Sequence, residues 1–512
     1  MSLSVFNTRT KRVEPFVPMQ PPVVRIYTCG LTVYAPMHIG HARTYCFWDL
    51  FRRWLEHSGY TVLAVVNYTD IDDRIMGKAT DRGAVDVAEE NVAIFRRDCR
   101  SLQIRDYAAY TRATDFVEAQ VAHIVRLIEK GHAYVRDGEV FYDVASFEHY
   151  GQLAGRDLAG QEVGASERVQ EDFARKKNPA DFTLWKPSQP GQPSWSTGQP
   201  DWPSGRPGWH IECSAMSELT LGAQFDVHGG GIDNLFPHHE NEVAQSAPLC
   251  GYPWVRYWMH PEHLDLRGEK MSKSLGNVIA VPDLIDAWGA NAVRFFFASG
   301  HYRSKLGFSH ELVKQCIDGF ARVEQLVDIL ESRLEQAPPA PVTRGLYPTE
   351  REPAQRWPRL RHRFAEGAFA AQTTAFIERF TARMNDDLDT PGAIAALFDY
   401  VRALNAANIT ETHDTSSALA AYRCLVAHLW TLGVERPNVK LFPELAAECM
   451  PKGSDAKALA PLEKVLDNLV AARQQARANK DFARADVIRQ ILTEAGVAIE
   501  DTREGPRWKL TK

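Results

Sequence analysis

The chain contains no apolar run that reaches the ~18 residues a membrane-spanning helix needs, so no membrane partner is expected. It also lacks a dense, regular cysteine pattern. Its eight cysteines, at positions 29, 46, 99, 213, 250, 316, 424 and 449, scatter over 512 residues, which excludes a disulfide framework and predicts reduced thiols. Positive charge is not in excess either: the net charge is −6, so a nucleic-acid partner has to be met by local basic patches. The first residues, Met1-Ser2-Leu3-Ser4-Val5-Phe6-Asn7, carry neither the apolar core nor the cleavage site of a secretory leader. Together these absences predict a cytoplasmic protein. There is no internal repeat. What is present is globular composition, 45% hydrophobic and 24% charged, in a chain too long for one ordinary core, so several domains are expected.

Read in order, Val23 to Tyr27 is an apolar strand that leads to a thiol at Cys29. A polar loop then reaches His38-Ile39-Gly40-His41, after which Phe47, Trp48, Phe51, Trp54 and Leu55 recur at helical spacing. The two histidines therefore open a helix, where free backbone N–H groups and the positive dipole end suit a phosphate. Thr61 to Val66 is an unbroken, mostly β-branched run, as in a buried parallel strand, and completes a βαβ unit. The segment Asn67 to Asp73 follows at the carboxyl end of that strand, where open α/β sheets bind ligands; its three aspartates fit that role and the role of turn and helix-cap residues equally.

Residues 85–135 read as helical. From Asp137 to Asp201 the composition changes to mixed strands and a Pro/Gly/Trp-rich segment, Trp185 to Pro203, that cannot be regular helix and has the character of an insertion. A new helix enters at Trp209-His210-Ile211-Glu212-Cys213, and Phe225 to Asp233 reads as a strand running into a glycine-rich loop. Pro237 sets the first turn of a helix bearing His238, His239, Glu240 and Glu242, with His238 and Glu242 on one face. The polar loop Lys270-Met271-Ser272-Lys273-Ser274 follows, then helices to about Leu334. Two proline-rich stretches, from Pro338 to Pro358 and from Pro437 to Pro451, read as linkers around a helical bundle at Phe364 to Leu432. Beyond them two amphipathic helices and a strand pair, Val497–Asp501 and Arg507–Leu510, form a small C-terminal domain.

The residues alone leave Cys29 and Cys213 open between metal ligand and buried packing, because they lie far apart in the chain and no C-x-x-C pairs them. The other six cysteines read as packing. A His-x-Gly-His tetrad arises by chance in roughly a few per cent of such chains, whereas Lys-Met-Ser-Lys-Ser has odds of roughly one in a thousand or less. Occurring together, in this order, at opposite ends of a split α/β region, the two resemble the signature motifs of class I aminoacyl-tRNA synthetases. Cys29, Cys213, His238 and Glu242, set in Trp209-His210-Ile211-Glu212-Cys213-Ser214 and Phe236-Pro237-His238-His239-Glu240-Asn241-Glu242, narrow the resemblance to cysteinyl-tRNA synthetases. It spans essentially the whole chain, although the proline-rich run from Ser188 to Gly208 is longer than that family usually carries.

The resemblance implies an α/β class I Rossmann-like catalytic domain, at 1–118 and 205–275, split by a connective insertion at 119–204. A helical stem-contact region at 276–335, an α-helical tRNA-binding bundle at 359–436 and an anticodon-recognition domain at 456–512 follow. It further implies one Zn2+ per chain on Cys29, Cys213, His238 and Glu242, with the thiolate of the substrate as an added ligand; a hard serine hydroxyl cannot replace that bond, so no editing domain is required. ATP, with Mg2+, would be held by His38, Gly40, His41, Asp233, Lys270 and Lys273; of the catalytic four, His38 and His41 donate to the phosphates and Lys270 and Lys273 close over the departing pyrophosphate. Thr69 and Trp209 are candidates for the cysteine pocket, and Asp501, Arg503, Arg507 and Trp508 for stacking and hydrogen bonding with anticodon bases. The implied partners are L-cysteine, ATP and tRNA(Cys), and the chain is expected to be a monomer. The rival reading is a ligase of mycothiol synthesis that joins cysteine to a glucosaminyl-inositol, sharing these motifs but lacking the C-terminal extension. A catalytically silent tRNA- or zinc-binding derivative is argued against by the intact His38, His41 and Lys273.

Overall fold

The computed structural model describes residues 2–79, 83–156, 176–265, 279–336 and 365–436, parts of 470–492, and the strands at 497–502 and 505–510. An antiparallel hairpin, β1 (Ser4–Asn7) with β2 (Arg12–Pro15), precedes β3 (Val23–Thr28), α1 (Ile39–His57) and β4 (Thr61–Tyr68). β3 and β4 pair in parallel, with Tyr27 opposite Val65 and Thr28 opposite Val66. Alternation decides which face each side chain serves. Val24 and Ile26 pack with Trp48, Phe51 and Trp54 of α1, whereas Tyr27 and Val65 enter the opposite core. With both faces covered, neither strand shows the polar alternation of a half-exposed sheet.

A short turn of helix, α2 (Asp73–Met76), and α3 (Ala84–Ser101) lead to β5 (Ala109–Arg112) and α4 (Val117–Glu129). Continuous helix over 85–135 is thus corrected. α3 ends where Gln103 takes φ +57°, and Ala109–Arg112 gains more by joining the edge of β4, with Val66 opposite Tyr110, than by remaining helical.

The next segment forms an antiparallel sheet, β6 (Ala133–Arg136), β7 (Glu139–Tyr142), β8 (Phe182–Pro187) and β9 (Gly205–Pro207). Its Pro/Trp-rich stretch is held by Trp185 and Trp202, both buried and edge to face at 5.5 Å. α5 (Trp209–Leu221), β10 (Phe225–Gly229), α6 (Glu240–Cys250) and β11 (Val255–Met259) then return to the parallel sheet, whose order is β11-β10-β3-β4-β5. The strand order reverses between β3 and β10. A crevice at the carboxyl ends of those two strands is where such a sheet receives ligands.

β12 (Leu264–Asp265), α7 (Val281–Trp288), α8 (Ala290–Ala298), β13 (Leu306–Gly307) and α9 (His310–Gln336) connect to the bundle α10 (Ala370–Met384), α11 (Thr390–Ala406) and α12 (Thr415–Thr431). Phe376, Phe380, Leu397 and Leu425 of the bundle share one continuous core with Phe51 and Trp54 of α1. At the C-terminus, β14 (Val497–Thr502) and β15 (Gly505–Leu510) pair antiparallel. Lys270, Lys273, Arg503 and Cys449 lie outside the described residues, as do the side chains of Asp501, Arg507 and Trp508.

Candidate active site and metal cluster

The N-terminus of α1 is built by its two histidines on each other. His38 Nδ1 accepts from the Gly40 and His41 amides at 3.1 and 3.4 Å, His41 Nδ1 accepts from the His38 amide at 3.4 Å, and the rings stack at 3.6 Å. Because both Nδ1 atoms accept, both rings are neutral and carry their protons on Nε2. The Ile39 amide is also occupied, by the Ile279 carbonyl at 2.9 Å. This corrects the expectation of free amides: the first-turn N–H groups of Ile39, Gly40 and His41 serve the fold. The positive end of the helix dipole still lies at that turn, with no acidic residue in it to neutralise the charge.

Cys29 lies one residue past β3, where Gly30 is required by close approach: a Cβ there would stand 1.6 Å from the Asn67 carbonyl oxygen. The structure brings together all four residues proposed as ligands. Cys29 Sγ is 3.7 Å from Cys213 Sγ and 3.5 Å from Glu242 Oε1, and His238 Nε2 is 3.1 Å from that same oxygen. These donor atoms lie within 4.8 Å of one another and all four residues are buried. His238 reaches the cluster from a wide turn, Leu235–His239, that precedes α6. Only Phe236 departs from helical dihedrals there, so Pro237 opens a helical turn that runs on into α6, as its place in the sequence predicts.

A second, overlapping quartet was not legible in the sequence: Cys29, His228, His239 and Glu242. His239 Nε2 is 3.2 Å from Cys29 Sγ, and its Nδ1 meets His260 Nε2 at 2.7 Å. His228 meets the Tyr27 carbonyl through Nδ1 at 2.9 Å and Glu242 Oε2 through Nε2 at 2.8 Å. The two carboxylate oxygens are thereby divided, Oε1 toward Cys29 and His238, Oε2 toward His228. That is how outer partners orient a ligand. The one signal available beforehand was the position of His228 near the carboxyl end of a parallel strand.

Burial controls the protonation of the cluster. It drives the Cys29 thiol well above its usual range, helped by Cys213 and Glu242, and pushes Cys213 up to about 11. It holds His238 and His239 well below the imidazole range, with neighbouring histidines adding to the effect, and brings His210 and His260 down to about 3. Two thiols, an imidazole and a carboxylate, desolvated and convergent, form a donor set whose chemistry fits Zn2+.

One cavity of ≈ 300 Å³ is lined by Cys29 of the cluster and by both histidines, His38 and His41, together with Trp209 and Asp233. The Trp209 ring stacks on His238 at 4.3 Å. Thr69 lies behind this wall, buried, its hydroxyl donating to Glu212 Oε2 at 2.7 Å. Burial raises the carboxyl of Glu212 well above its usual range, Thr69 opposing it. The aspartates after β4 take structural positions: Asp70 accepts from Thr114, and Asp72 caps α2. Sequence reasoning also passed over Arg74, which lines the cavity.

Residues 15–318 match the family described as tRNA synthetases class I (C) catalytic domain, 379–434 the DALR domain, and 461–508 the cysteinyl-tRNA ligase anticodon binding domain. A curated relative named Cysteine--tRNA ligase, from Symbiobacterium thermophilum, is 39% identical over 99% of this chain and all of its own length. Another of that name, from Alkalilimnicola ehrlichii, is 39% identical over 99% of both chains. Among solved structures, the LeuRS of an Agrobacterium radiobacter K84 ternary complex superposes with a TM-score of 0.58 at 12% identity, over 84% of this chain and 86% of that one. Methionyl-tRNA synthetase of Mycobacterium tuberculosis follows at 0.53 and 16%, over 83% and 92%; both likenesses concern the fold. On these matches the chain belongs to the cysteine--tRNA ligase family of class I aminoacyl-tRNA synthetases.

Proposed function

We propose that the chain activates L-cysteine with ATP and transfers it to the 3′ end of tRNA(Cys), releasing AMP and diphosphate. The observation that carries this reading is one cavity lined both by Cys29 of a thiol-rich donor cluster and by the two histidines at the N-terminus of α1. Cys29, Cys213, His238 and Glu242 would hold Zn2+, which when bound supplies a soft Lewis acid that prefers the thiol of cysteine to the hydroxyl of serine.

The remaining chemistry belongs to side chains. His38 and His41 donate to the phosphates while the α1 dipole stabilises their charge. Asp233, beside Gly231 at the cavity edge, is placed to hold the ribose hydroxyls, and Trp209 covers the amino-acid end. Lys270 and Lys273 close over the departing pyrophosphate. The ribose hydroxyl of the terminal adenosine then attacks the adenylate carbonyl, and Asp501, Arg503, Arg507 and Trp508 contact the anticodon. ATP enters with Mg2+. Residues 119–204 serve as the connective insertion and 276–335 as the stem contact. We read the enzyme as a cytoplasmic monomer; no helix among the described residues is long and apolar enough to cross a membrane.

Cysteine-dependent ATP–pyrophosphate exchange, followed by charging of tRNA in parallel with a glucosaminyl-inositol acceptor, tests the reading. Exchange together with tRNA charging is expected. Coupling to the sugar amine, with tRNA left uncharged, would establish the mycothiol-type ligase instead.

A further inference from the structure

We propose that Arg74 binds the α-carboxylate of the substrate amino acid, an assignment that rests on the activity stated above. Among the described residues that line the cavity, Arg74 is the permanent cation and Asp233 the carboxylate. The reaction brings a carboxylate nucleophile against a phosphate, two anions, at a place where the hydrogen bonds of His38 and His41 leave both rings neutral. A fixed positive charge on the amino-acid side answers that need.

Arg74 is held as a preorganised donor. Its Nε donates to Asp72 Oδ1 at 2.8 Å and its Nη2 to Thr32 Oγ1 at 2.9 Å. The guanidinium carbon stands 5.1 Å from the Tyr34 ring centroid and 5.6 Å from that of Trp209. The short α2 that carries it is tied down twice, by the Asp72 cap at its start and by Asp73, which accepts from Arg206 of β9 at 2.7 Å. Nη1 makes no hydrogen bond among the described residues, and the side chain is 38% exposed. A guanidinium with two nitrogens anchored and a third edge open to the cavity suits planar recognition of a carboxylate.

Its location selects the carboxylate over the triphosphate. Trp209, on which it lies, stacks on the cluster residue His238. Thr32, which it grips, follows the cluster residue Cys29 by three residues and lines the same cavity. In cysteine, the thiol and the carboxylate are separated by only two carbons, so a substrate whose sulfur meets Cys29 and Cys213 presents its carboxylate to the adjoining wall.

The test uses the zinc-loaded enzyme, with Arg74→Ala and Arg74→Lys beside wild type. Calorimetry gives the Kd of cysteine and of cysteamine, which keeps the thiol and amine and lacks the carboxylate; pyrophosphate exchange gives the KM of ATP. Arg74→Ala should weaken cysteine about 10- to 100-fold, the scale of a charge-assisted hydrogen bond, with cysteamine and the KM of ATP unchanged. Arg74→Lys should recover part of the loss. Unchanged cysteamine binding also shows that the variant site is folded. Equal weakening of cysteine and cysteamine would make Arg74 a latch for α2, and a raised KM for ATP with cysteine unaffected would move it to the phosphates; either overturns the assignment. Wild type runs in every assay, so failure of the activity itself shows there and not in the variant alone.

Discussion

Cys213 and Cys250 are both free thiols on helices of the same half of the molecule, yet they differ in what faces them. Cys213 is fully buried against Cys29 and Glu242, whereas Cys250 is half-buried at the end of α6, outside the cluster. Cys213→Ala should therefore reduce bound zinc from about one per chain to near zero by elemental analysis and lower cysteine-dependent exchange at least about 100-fold, since even outer partners of a metal cost 10- to 100-fold in affinity. Cys250→Ala should leave both intact. Retained zinc in the Cys213 variant would shift the site to the quartet that contains His228 and His239.

At the scale of elements, α1 joins the chemistry to the bundle. Its first turn holds His38 and His41; further along, Asp49 accepts from Arg53 at 2.7 Å and from Arg294 of α8 at 2.5 Å. Arg53 also donates to Glu435, just past α12, at 2.7 Å. Burial alone would raise the Asp49 carboxyl, but Arg53 and Arg294 outweigh it and hold it well below the carboxylate range. The sign follows: a depressed pKa stabilises the fold above the unfolded value of about 3.9, and that contribution is lost as pH falls below it. Asp49→Asn leaves the buried Arg294 guanidinium without its carboxylate and Arg53 with Glu435 alone, and should cost about 3–5 kcal/mol. Scanning calorimetry should show earlier unfolding at neutral pH and a shallower loss of stability on acidification than in wild type.

For the whole molecule, activation and recognition are placed in different parts of the chain. The catalytic-domain match ends at 318 and the anticodon-domain match begins at 461. Truncation near Asp455 should spare cysteine-dependent exchange while abolishing most tRNA charging, measured on the same preparations. Parallel loss of both activities would make the tail a structural prop.

The sequence by itself determined the class of fold and most of the site. β-branched runs, the helical recurrence after His41 and the two signature motifs are local patterns, and local pattern survives in one dimension. The unbroken β-branched run of β4 even predicted a buried parallel strand. Tertiary structure decided what depends on distance: that Cys29 and Cys213 stand 3.7 Å apart, that His228 and His239 crowd the same carboxylate, and that β5 leaves the helical stretch to complete the sheet edge. It also decided that the first-turn amides of α1 are occupied and that Arg74 enters the cavity. The cluster comes from the parallel pairing of β3 with β10 at the reversal of strand order, which assembles side chains from four separate segments, and periodicity carries no record of that long-range pairing.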